Sequence, residues 1–150
     1  MKTYEELLSD IEDDMELMGA LHIVYAMEEA GADLIELGIP FSDPTAEGPV
    51  IQGANLRALS GGVTTDKVFD MVEKIRKNSS IPMVFMTYAN VVFSYGIERF
   101  CKRAAEVGMD GMILPDVPFE EKEEFASVAE KYGLDLISLK SQRRLLRNPL

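Results

Sequence analysis

Apolar residues recur at helical spacing over residues 4–18, where Leu7, Leu8, Ile11, Met15 and Met18 alternate with acids. Helical character continues over 21–30 and stops at Gly31, a frequent C-terminal cap. The pattern then changes. Residues 32–37 form a short apolar run between Gly31 and Gly38, which predicts a buried strand. Residues 39–49 carry Pro40, Pro44, Pro49 and Gly48 and read as a loop. A helix is predicted over about 50–59, closed by Gly61-Gly62. Thr64 or Thr65 caps the next helix, whose apolar stripe is Val68, Met71, Val72 and Ile75. Residues 81–86 read as a second buried strand, with Pro82 at its tolerated first turn of chain. A helix over about 97–107 ends at Gly108, and 111–114 is a third strand. A helix over 119–132 ends at Gly133, and 134–139 is a fourth strand.

Strand–helix alternation of this kind predicts a parallel sheet with helical crossovers. An internal echo supports it. Gly31-Ala32-Asp33, Gly108-Met109-Asp110 and Gly133-Leu134-Asp135 each join the end of a helix to the start of an apolar strand. A repeated unit of that type belongs to a (β/α) barrel or a doubly wound sheet. No GxGxxG and no P-loop follows any strand, so the dinucleotide-binding version has no support.

Composition narrows the function classes. The 150 residues are 47% apolar and 27% charged, with a formal charge of −11, which fits one globular domain. The acidic balance argues against a nucleic-acid partner. No apolar run reaches the roughly 20 residues of a spanning helix, and no signal peptide opens the chain, so no membrane partner is expected. Cys101 is the single cysteine, which permits no internal disulfide and fits a reducing cytoplasm. With His22 the single histidine, a metal site would need carboxylates, and none is expected. Residues 5–16 hold seven acids, whereas 140–150 hold four basic residues and no acid. The chain is read as one domain, 1–150, with an acidic N-terminal helical part, 1–25, a core, 26–139, and a basic tail, 140–150.

Glu36 is the leading candidate for chemistry. It lies near the C-terminal end of the first strand, where (β/α) barrels place reacting groups. Apolar neighbours would raise its pKa toward the range of proton transfer. The alternative is a strand-end Glu in solvent or paired with a lysine. Asp43 and Glu47 follow in the long loop. They could bind a cationic or N–H-bearing group, or serve turn and helix-start chemistry. Asp116, between Pro115 and Val117-Pro118, reads first as a turn former. Tyr88 and Asn90 follow the second strand and could line a pocket. His22, Cys101 and the nine methionines read as packing residues.

The run Ala30-Gly31-Ala32-Asp33-Leu34-Ile35-Glu36-Leu37-Gly38-Ile39-Pro40-Phe41-Ser42-Asp43-Pro44 resembles the signature of the tryptophan synthase α subunit family. Gly48-Pro49-Val50-Ile51-Gln52, Tyr88-Ala89-Asn90, the Phe93/Gly96 pair and Asp116-Val117-Pro118 continue the resemblance in order. It implies an α/β fold, a partial (β/α)8 TIM barrel of about four parallel strands with helical crossovers. These match strands two to five. The family's strands one, six, seven and eight, its phosphate-binding loops and its mobile loop have no counterpart in the sequence.

The resemblance also implies a lyase of tryptophan biosynthesis. The family cleaves indole-3-glycerol phosphate to indole and glyceraldehyde 3-phosphate without a cofactor, and its partner is the pyridoxal-phosphate-dependent β subunit. Glu36 matches the general acid/base. Glu47 matches the second carboxylate, which is Asp in many members and binds the indole N–H. Met86, Tyr88 and Ile113 match positions lining the indole pocket, and Asp43 and Pro44 match a loop that meets the β subunit. The second reading is a non-catalytic interaction protein. It would bind the β subunit, or pair with itself through open barrel edges.

Overall fold

The computed structural model describes residues 15–45 and 47–139. Helix α1 (Met15–Glu29) leads to strand β1 (Ile35–Gly38), then helices α2 (Pro49–Ser60) and α3 (Thr65–Arg76). Strand β2 (Met83–Met86) is followed by helices α4 (Ala89–Tyr95) and α5 (Ile97–Glu106). Strand β3 (Gly111–Ile113), a 3-10 turn (Phe119–Glu121), helix α6 (Glu123–Lys131) and strand β4 (Asp135–Ile137) complete the order. The four strands form one parallel sheet in the order β1-β2-β3-β4.

Several expectations are corrected. The helix expected at 4–18 falls largely outside the described residues. Within them one helix runs unbroken from Met15 to Glu29, in line with the helical character expected to continue over 21–30. Helix α4 was not expected, because seven residues are too few for an apolar stripe to declare itself. The helix expected over 119–132 is a 3-10 turn followed by α6, since Pro118 sits immediately before it and the chain settles into helix only after Lys122. Each strand is shorter than its apolar run.

Local chemistry explains the joints. The Thr64 hydroxyl accepts from the Lys67 amide at 3.3 Å and so caps α3. The Gly-x-Asp repeat is one device used three times. Gly31, Gly108 and Gly133 take φ of +93°, +89° and +73°, which turns each helix back toward the sheet.

Side-chain alternation divides the sheet into two faces. Ile35, Leu37, Met83, Phe85, Met112, Leu134 and Leu136 belong to the core that the helices cover. Phe69 on α3, Phe85 on β2 and Phe100 on α5 are fully buried there, with ring centroids 5.3–5.8 Å apart. Burying each ring contributes roughly 1.5–3 kcal/mol. Cys101 lies in this core, as expected, and burial pushes its thiol up to about 11, with the Glu98 charge adding. Met71, Met83, Met109 and Met112 are buried filler of the same core.

The other face carries Glu36, Val84, Gly111 and Asp135 in one row across the register. Gly38, Met86, Ile113 and Ile137 form the next. No described helix covers this face in the way the core side is covered. Its central residues Val84 and Ile113 are buried, while Glu36 and Asp135 on the edge strands are exposed.

Candidate active site at the C-terminal ends of the strands

The strand order places the loops after β1, β2 and β3 side by side at one end of the sheet. In parallel α/β architectures that end holds the chemistry. Glu36 sits on β1, opposite Val84 of β2. It faces away from the helices. The expected burial of Glu36 is therefore overturned. The run 32–37 looked buried on both faces, but alternation sends Ile35 and Leu37 into the core and Glu36 to the open side. Because β1 is an edge strand among the described residues, that side chain is exposed. Its in-register neighbour Val84 is apolar, but the Glu36 side chain is open to solvent rather than enclosed.

Met86 and Ile113 lie side by side at the strand ends, paired in register, with Gly38 next to Met86. Ile113 is buried and Met86 half-buried. Tyr88 is buried just beyond the end of β2, its ring centroid 5.2 Å from that of Phe41 in the loop after β1. Met86, Ile113 and Tyr88 thus lie at neighbouring strand ends, with Phe41 against Tyr88, while Glu36 stands on the same sheet face one row earlier.

Glu47 is half-buried and tied to the start of α2. Asn55 donates its Nδ2 to Glu47 Oε2 at 2.8 Å, and Gln52 donates its Nε2 to the Glu47 carbonyl at 2.8 Å. The helix-start alternative thus holds for its backbone, while its carboxylate is fixed by a side chain eight residues on. Asp43 is exposed and accepts from the Ser42 hydroxyl at 2.5 Å, as turn chemistry would have it. Pro44 beside it is half-buried. Phe41, Asn55 and Gln52 were missed as site residues. The one sequence signal was their place in the signature run and in the helix after it.

Asp116 lies in the expected turn, where the Val117 amide donates to the Leu114 carbonyl at 3.3 Å, and its carboxylate also reaches beyond it. Both of its carboxylate oxygens accept from the Ala89 amide, at 3.0 and 3.2 Å. Among the described residues no group of three or more His, Cys, Asp or Glu side chains could hold a metal ion. No described helix is long and apolar enough to cross a membrane.

A parallel sheet in sequential strand order, with polar and aromatic groups near the strand C-termini, has the architecture of a segment of a (β/α) barrel. Residues 12–145 match the model of the family described as tryptophan synthase alpha chain, and the chain belongs to that family. It is 49% identical over 129 residues to the tryptophan synthase alpha chain of Lacticaseibacillus casei, covering 86% of this chain and 48% of that protein. The alpha chain of Caldanaerobacter subterraneus is 52% identical over 117 residues, 78% of this chain and 45% of that one. Among solved structures, the alpha subunit of Legionella pneumophila superposes with a TM-score of 0.79 at 42% identity, over 85% of this chain and 50% of that one. A chain from the Pyrococcus furiosus tryptophan synthase α2β2 complex gives 0.80 at 36% identity, over 84% and 53%. The chain thus spans about half the length of the curated relatives it matches. The four parallel strands correspond to part of the alpha-chain barrel in those structures.

Proposed function

We propose that this chain carries the strand-two-to-five part of a tryptophan synthase α-type lyase, whose reaction is the retro-aldol cleavage of indole-3-glycerol phosphate. The observation that carries this reading is the sheet face that Glu36, Met86 and Ile113 share in two adjacent rows, with Tyr88 just beyond the end of β2. Glu36 donates a proton to C3 of the indole ring, which makes the ring an electron sink. The Glu36 carboxylate left by that transfer takes the adjacent glycerol hydroxyl proton, the aldehyde forms as the C–C bond breaks, and that bond's electron pair returns to the ring. Glu47, held by Asn55, accepts the indole N–H and balances the positive ring. Met86, Ile113 and Tyr88 supply the apolar walls. Asp43 and Pro44, on the surface loop after β1, are the proposed contacts to the β subunit, and the reducing cytoplasm is the proposed setting.

The test is indole release from indole-3-glycerol phosphate, measured with and without added β subunit. Wild-type release that Glu36→Gln lowers by about a hundredfold or more supports catalysis. Release unchanged in Glu36→Gln overturns the role of that carboxyl. A second reading is favoured by the exposure of Glu36 and the unpaired outer sides of β1 and β4 among the described residues. In that reading the chain binds the β subunit, or a second copy of itself, without turnover. It predicts no indole release but a change in β-subunit activity, or a dimer in solution.

A further inference from the structure

Helix α4 starts with an amide that nothing in its own sequence caps. Tyr88, its N-cap residue, makes no side-chain capping bond. Helix N-termini leave donors that need acceptors. The acceptor comes instead from the loop after β3: Asp116, 27 residues further on, takes the Ala89 N–H with both carboxylate oxygens. Ala89 follows Tyr88 directly, so fixing this amide fixes the peptide plane on which the Tyr88 side chain depends. The Tyr88 ring in turn lies against Phe41 of the loop after β1. Three consecutive strand-end loops are joined in one chain of contacts, Asp116 to Ala89, then Tyr88 to Phe41.

We infer that Asp116 is a positioning residue that holds the Tyr88 ring against Phe41 as a wall of the candidate site. The inference rests on the retro-aldol reading only for what the wall binds, a flat indole ring; the clamp itself stands on the contacts. Asp116 is exposed, so solvent screens its charge. Geometry and acceptor capacity therefore do the work, and an isosteric amide oxygen can replace the carboxylate.

The experiment compares Asp116→Ala and Asp116→Asn in the full chain by NMR, with indole as the probe ligand. Asp116→Ala is expected to lose the Tyr88–Phe41 ring NOE and to weaken indole binding by about tenfold. Asp116→Asn is expected to keep the NOE and to bind indole within about threefold of wild type. A role in folding alone would lower the melting temperature without moving the NOE or separating the two variants. An unchanged NOE in Asp116→Ala, or an Asn variant no better than Ala, overturns the inference. If the wild type binds no indole, the retro-aldol reading fails while the NOE still judges the clamp. Should Asp116→Ala not fold, the wild type decides. A scalar coupling across the hydrogen bond, from the Ala89 nitrogen to Asp116 Cγ, supports the clamp, and its absence overturns it.

Discussion

Arg76, at the end of α3, ties the chain five residues on to the turn before β3, 32 to 34 residues on. Its Nε donates to the Gly108 carbonyl at 2.8 Å, one Nη to the Ile81 carbonyl at 2.5 Å and the other to Asp110 Oδ2 at 3.0 Å. The same Asp110 oxygen accepts from the Met83 amide at 2.8 Å, at the start of β2. One guanidinium thus fixes the entry to β2 and the turn before β3. The Asp110 carboxylate is 55% exposed, so its charge adds little, and the two carbonyls decide the outcome. Arg76→Met keeps the apolar stem and deletes every donor. It is expected to cost about 2–4 kcal/mol, read as a lower urea midpoint with an unchanged m-value. Lys102→Ala, which removes an exposed pair with Glu106 at 3.9 Å, should stay within about 0.5 kcal/mol. Almost none of this was legible in the sequence. Arg76 did not stand out in the sequence, and Asp110 stood out only as part of the second Gly-x-Asp joint. Their meeting needs two strands and a helix already in place. The alternation of β1 was legible and was passed over. Ile35-Glu36-Leu37 reads apolar–polar–apolar, which sends Glu36 to the opposite face from its neighbours, and the dense run of apolar letters hid that period.

At the level of elements, the pairing of β3 with β4 depends on a missing side chain. A Cβ at Gly111 would lie 2.4 Å from the Asp135 carbonyl oxygen and 3.2 Å from Asp135 Cβ. The close neighbour is backbone within a three-pair ladder, so it cannot swing aside. Gly111→Ala is expected to cost about 1–3 kcal/mol and to act locally. Hydrogen exchange should speed up at the β3–β4 ladder, including Leu136, while the β1–β2 ladder keeps its protection. Equal loosening of both ladders would show that the sheet opens as one unit. The sequence announced every strand and every longer helix within the described residues, because helix-terminal glycines and apolar runs are local signals. It did not announce α4. That helix has Val92 as its one fully buried side chain and is started by Asp116, a residue beyond the next helix and strand. Helix α2 shows the converse. It was expected over about 50–59 with Gly61-Gly62 closing it, yet it buries no residue, and Val50 is 78% exposed.

For the whole molecule, the consequence of four strands is two unpaired sides. Among the described residues nothing hydrogen-bonds to the outer side of β1 or of β4. Parallel edges of this kind invite another chain, and eight strands close a barrel of this class. The resemblance foresaw that openness, but not the residues that stand on it. Glu36 on β1 and Asp135 on β4 belong to the same row and are both exposed. If β1 of one copy meets β4 of another, the two acids come to the same face of the junction. Like charges placed there oppose pairing, and inward-facing charges are a known guard on sheet edges. Self-association is therefore expected to be weak in the wild type and electrostatically held back. Glu36→Gln combined with Asp135→Asn removes the repulsion. In sedimentation velocity at a fixed concentration it should raise the dimer fraction several-fold, and high salt should move the wild type the same way by screening. A double variant and a salt series that both leave the sedimentation coefficient unchanged would show that these edges do not pair. The interaction reading of the chain would then have to rest on the loop after β1, where Asp43 and Pro44 lie.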